Sequence, residues 1–129
     1  AAGLAALAAL RDGDLVANAA KVGGYLLERL HDRLADCPVV GEVRGMGLAI
    51  GVELVTDRAT KEPATAETAR TVLVEMLRRG VVTSSSSHVV RITPPLCLTK
   101  EQADVIVDVM SQALAVVAGQ RRSVPDPIG

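Results

Sequence analysis

Aromatic residues are almost absent from this sequence. There is no Phe and no Trp, and Tyr25 is the only Tyr. Without stacking platforms the chain is not built as a binder of single-stranded nucleic acid. Its core has to be assembled from Leu, Val, Ala, Ile and Met. An excess of charge is missing too: 14 Lys and Arg stand against 15 Asp and Glu, for a net charge of −1. No basic footprint for nucleic acid or an anionic membrane results. Cysteine is scarce. Cys37 and Cys97 form no CxxC, and no His is spaced for metal, so no metal site is expected. Both thiols are expected to be buried small hydrophobes in a reducing, cytoplasmic setting. Long hydrophobic runs are lacking as well: Ala1–Leu10 is apolar but too short to span a bilayer and has no basic flank. An apolar, helix-like run that starts at residue 1 without Met reads as the interior of a longer chain.

Acidic residues are also missing where one would be most useful. His88-Val89-Val90-Arg91-Ile92-Thr93-Pro94-Pro95-Leu96 reads as a short buried strand of β-branched residues, stopped by two prolines that offer no ladder donor. Arg91 lies inside it, and no Asp or Glu occurs between Glu75 and Glu101. A buried guanidinium is costly without a carboxylate, so one has to come from elsewhere in the fold or from a ligand. Two readings stand open. Arg91 snorkels to water or a distant acid, or it is a fork that grips a substrate carboxylate in two parallel hydrogen bonds.

With 49% apolar residues, 129 residues suffice for one domain. Ala1–Arg11 is a good helix former, broken at Asp12-Gly13-Asp14, with Asp14 placed to cap the next helix. Leu15, Ala19, Val22, Leu26, Leu30 and Leu34 step by three or four along one helical face, and Pro38 ends that helix. Val39–Arg44 reads as extended. From Leu48 to Leu54, Leu, Ile, Val and Leu alternate with smaller or polar residues as in a strand. The two segments meet at Gly45-Met46-Gly47, which lacks the spacing and the following helix of a nucleotide loop. It is either a simple turn or a ligand-facing one.

Thr56–Ala64 reads as a polar loop, and Thr65 as the cap of a helix carrying Ala69, Val72, Leu73, Met76 and Leu77 on one face. Arg78-Arg79-Gly80 gives that helix a C-terminal signature. Val81–Thr83 reads as a short strand, and Ser84–Ser87 as a pliable loop before His88. Four serines beside a histidine lack the strained elbow a nucleophile needs. Thr99 and Gln102 fit a capping box for a last helix that Gly119 should end. The expected fold is an α/β (α+β) two-layer sandwich, a small, largely antiparallel sheet with helices on one face.

Val40-Gly41-Glu42-Val43-Arg44-Gly45-Met46-Gly47-Leu48, Gly51–Val55, Asp57-Arg58 with Thr60-Lys61-Glu62-Pro63-Ala64, and Val90-Arg91-Ile92-Thr93-Pro94-Pro95-Leu96 occur in an order that resembles the C-terminal portion of class III aminotransferases. These are pyridoxal-phosphate enzymes of fold type I. The third of these stretches is most similar to the branch of alanine–glyoxylate aminotransferases and related phospho-lyases. The resemblance implies a small C-terminal domain over residues 14–118, reached by a helix end at 1–13 from a large domain, with 119–129 a tail or linker. It implies a homodimer acting on amino-acid and keto-acid substrates, with Arg91 binding the substrate carboxylate and Gly45 and Gly47 near the substrate side. Pyridoxal phosphate would be bound mainly by the large domain. The only lysines, Lys21, Lys61 and Lys100, lie at polar positions, so this segment alone is expected to be inactive and to hold no catalytic or cofactor-binding residue. A phospho-lyase on the same scaffold and a non-catalytic small-acid-binding module remain as alternatives.

Overall fold

A computed structural model of the chain describes residues 14–123. Helix α1 spans Leu15–Leu34 and buries Ala19, Val22, Gly23, Leu26, Leu30 and Leu34, the face the spacing predicts. Strands β1 (Val40–Met46) and β2 (Ala49–Asp57) form a hairpin, and the two-residue β3 (Glu62–Pro63) adds to β2. Helix α2 spans Ala66–Arg78, followed by β4 (Ser84–Ser86), β5 (Val89–Ile92) and helix α3 (Lys100–Ser123). All strand pairs are antiparallel, in the order β1-β2-β5-β4 with β3 beside β2.

The sheet alternates as a half-covered antiparallel sheet should. Val43, Ile50, Val52, Leu54, Val90 and Ile92 point into one core with the helices. On the other face Glu42, Arg44, Met46, Ala49 and Arg91 are exposed, and among the described residues no helix covers them. This is the two-layer architecture expected from the sequence. Helix α3 packs against both α1 and α2 and buries Ala103, Val107, Met110, Ala113 and Leu114 completely. By length and composition it is also apolar enough to cross a membrane, but half of that stretch is buried inside this fold.

Several local expectations hold. Thr65 accepts from the Thr68 amide at 3.2 Å. Thr99 and Gln102 form the reciprocal capping box, at 3.0 and 3.1 Å. Others need correction. Asp14 sits in the left-handed region (φ 54°) and its side chain makes no cap bond; its carbonyl accepts from the Asn18 amide instead. Helix α3 runs through Gly119 to Ser123, because one glycine costs a helix only about 1 kcal/mol. Val81–Thr83 is not a strand. The serines are: Ser84–Ser86 pair with β5 across a turn in which Ser87 takes φ 55°. The β-branched partner strand and the tight turn override the poor strand propensity of serine. Neither cysteine is fully buried, since Cys37 is half-buried and Cys97 exposed on the loop before α3. The expectations for residues 1–13 and 124–129 lie outside the described residues.

Candidate functional site on the open sheet face

The β1–β2 hairpin closes through a two-residue loop, Gly47-Leu48, between the paired Met46 and Ala49. Gly47 has φ +57°, the conformation that glycine supplies at the first position of such a loop. The loop fixes the register, so Arg44 pairs with Gly51. On the other side of β2, Gly51 pairs with Arg91, and Arg91 with Ser84. One row therefore crosses four strands as Arg44, Gly51, Arg91, Ser84.

Arg91 is exposed within this row, between buried Val90 and Ile92. The strand is buried on one face only: alternation turns residue 91 away from the core. Its isolation from acids stands. No carboxylate among the described residues forms an ion pair with it. Arg44 differs. Its Nη1 donates to Glu42 Oε2 at 3.0 Å and to Glu53 Oε2 at 3.2 Å. Those bonds, Glu53 first, hold Arg44 more firmly in its charged form.

Gly45 and Gly47 lie at the hairpin end of the same sheet, and at Gly45 packing also demands glycine. A Cβ on Gly45 would stand 2.8 Å from the Ala49 carbonyl and from Ile50 Cγ1. Gly47 receives helix α1 backbone to backbone: a Cβ on Gly23 would come within 2.0 Å of the Gly47 oxygen. The same end of the domain is pinned by Asn18, whose amide donates to the Leu96 and Leu98 carbonyls at 2.7 and 3.1 Å. This holds the segment that follows Pro94-Pro95.

A groove of about 570 Å³ lies between the segment entering β4, Pro94-Pro95 and the first turns of α3. It is lined by Val81, Val82, Pro95, Leu98 and Val105 among others, without an ionisable group and without Arg91. The groove shares Ser84 with the row but none of its charged residues.

The lysines do not build a cofactor site. Lys21 is exposed on α1, Lys61 donates to the Gly41 carbonyl at 2.6 Å, and Lys100 lies 5.3 Å from the centre of the Tyr25 ring. Tyr25 itself donates to Asp104 at 2.6 Å. It is part of the α1–α3 contact, away from the open face. The residues described do not fit pyridoxal phosphate. Arg44, Glu42, Glu53 and Gly51 were not singled out as site residues from the sequence. The two-residue loop at Gly47 is the signal that aligns Arg44 with Gly51.

Comparison with known proteins places this geometry. The family profile described as aminotransferase class-III matches residues 1–114. The chain is 44% identical over 117 residues to alanine–glyoxylate aminotransferase 2 homolog 2, mitochondrial, of Arabidopsis thaliana, covering 88% of this chain and 24% of that protein. It is 38% identical to a leucine/methionine racemase of Thermococcus litoralis, covering 90% and 26%. It is 35% identical to a taurine–pyruvate aminotransferase of Bilophila wadsworthia, covering 91% and 27%. Among solved structures, a transaminase with L-alanine superposes with a TM-score of 0.86 at 37% identity, over 92% of this chain and 28% of that one. A PLP-bound amine transaminase from an uncultivated Pseudomonas species gives 0.85 at 37%, over 88% and 26%. The chain thus spans about a quarter of the length of these relatives. The match covers most of the chain, in sequence and in fold: it belongs to the class III aminotransferase family.

Proposed function

We propose that this chain is the substrate-gripping domain of a pyridoxal-phosphate-dependent transaminase, a homodimer at full length, that moves an amino group between an amino acid and a keto acid. The observation that carries the reading is Arg91, exposed on the uncovered sheet face without a carboxylate partner among the described residues. A guanidinium fork suits a carboxylate in two parallel, charge-assisted bonds. Holding the substrate by that end orients its amino or keto carbon, which lowers the barrier through proximity. Gly45 and Gly47, at the end of the same sheet, are proposed to border the same space. The cofactor, the electron sink for this class of chemistry, would be held by parts of the full-length protein beyond the residues described. A racemase reading is favoured by the Thermococcus relative and would use the same grip. Turnover that needs no keto-acid acceptor would mark it.

The test is Arg91→Lys in the full-length enzyme. Lysine keeps the charge and loses the fork. One charge-assisted bond is worth about 1.5–3 kcal/mol, so the apparent KM for the amino acid should rise by about 10-fold to 100-fold. An unchanged KM overturns the grip.

A further inference from the structure

The row that carries Arg91 holds a second arginine in a different electrostatic state. Two strand spacings of about 4.8 Å put the α-carbons of Arg44 and Arg91 about 10 Å apart. Only Gly51 stands between them, with no side chain to separate the guanidiniums. Two free guanidiniums at that spacing could grip both ends of a dicarboxylate of four or five carbons. Arg44 is not free. It is shared by Glu42 and Glu53 at 3.0 and 3.2 Å, and the trio carries a net charge of −1. Glu53 is only 20% exposed, so it is held against the sheet beside Arg44. The next row on the same face, Glu42, Glu53, Val89 and Ser86, contributes no further cation. Among the described residues of these two rows, Arg91 is therefore the one cation without a carboxylate partner, and the net negative trio lies on β1 and β2 beside it.

We infer that Glu42 and Glu53 are specificity-determining residues. By occupying Arg44 they select substrates with a single carboxylate and disfavour those with a second carboxylate at the distal end. The inference rests on Arg91 being the carboxylate grip. A second carboxylate reaching across Gly51 meets a cation already neutralised and an uncompensated negative charge. Like charges in apposition act as a repulsive selector of this kind. If the trio only fastened β1 to β2, its removal would lower stability and leave the choice between acids unchanged.

The experiment uses the full-length enzyme and two acceptors of equal chain length, 2-oxopentanoate and 2-oxoglutarate, which differ by the distal carboxylate. The readout is the ratio of their KM values. In Glu42→Gln/Glu53→Gln, Arg44 is freed, and the KM for 2-oxoglutarate relative to 2-oxopentanoate should fall by about tenfold. Adding Arg44→Gln to that variant should return most of the ratio. An active double variant with an unchanged ratio overturns the inference. Should the double variant fail to fold, Arg44→Gln alone decides: it leaves both acids unbalanced and should raise the ratio, and no change is again refutation. Arg91→Gln separates this claim from the one beneath it. Both KM values should rise together; if neither moves, the carboxylate grip fails and the selectivity with it. If both rise while the glutamate variants leave the ratio alone, only the selectivity falls.

Discussion

Replacing Gly23 by alanine should destabilise the domain, although it puts a better helix former in the middle of a helix. Gly23 is buried on α1. A Cβ there would lie 2.0 Å from the Gly47 oxygen, 2.2 Å from its carbonyl carbon and 2.8 Å from its α-carbon. All three are backbone atoms of a two-residue hairpin loop held at both ends by the Met46–Ala49 pairing. Van der Waals contact needs about 3.5 Å, so helix or loop would have to retreat by about 1.5 Å. Retreat would lift Ala19, Val22 and Leu26, buried on the same face, off the sheet. Gly24 is the control one residue along, with nothing within 4 Å of a built Cβ. Alanine at Gly24 should add about 1 kcal/mol of stability from helix propensity. Alanine at Gly23 gains the same and loses about 3 kcal/mol to overpacking against rigid backbone, a net loss of about 2. The two variants should then differ by about 3 kcal/mol. In urea denaturation followed by circular dichroism, an m-value of about 2 kcal/mol/M separates their midpoints by about 1.5 M. If Gly23→Ala unfolds at the same urea concentration as Gly24→Ala or above it, the close packing of α1 on the hairpin loop is wrong.

Two smaller effects follow from the same structure. Thr99→Ala removes the hydroxyl that accepts from the Gln102 amide at 3.1 Å, and should cost about 1 kcal/mol in the same denaturation assay, whereas Thr99→Ser should be near neutral. Glu75 is held below its ordinary value of 4.5, first by the hydrogen bond from Arg79 and against the opposing effect of burial. The folded state therefore binds this proton less tightly than the unfolded one. Its contribution is full above pH 4.5 and lost as pH falls through the lower folded value. Glu75→Gln should flatten the acid limb of the stability curve, and coincident limbs in the two proteins would contradict this.

Elements with a strong local signal were legible in the sequence. The apolar faces of α1 and α2, the alternation of β2, the Thr65 cap and the Thr99–Gln102 box are set by residues close in the chain, so spacing alone reveals them. Arg91 stood out because it combined a β-branched run with a long stretch free of acids. What was not legible depends on pairing across distance. Ser84–Ser86 forms a strand because β5 is beside it, and no property of serine announces this. The row joining Arg44, Gly51 and Arg91 needs the β2–β5 register, which no short loop fixes. The apolar neighbours of Arg91 left open whether it meets water or a ligand, and its exposure follows from which face the helices cover. The close contact of Gly23 with Gly47 joins two glycines far apart in the chain, which no local spacing announces.

The central claim is that Arg91 recognises a carboxylate. It is tested most directly by comparing an amino acid with the matching amine that lacks the carboxyl group, as donors to full-length wild type and Arg91→Gln. If Arg91 is the grip, kcat/KM for the acid should fall by about 10-fold to 100-fold while that for the amine changes little, so the preference for the acid collapses. A variant that loses activity toward both donors in equal proportion, or toward neither, would contradict the assignment.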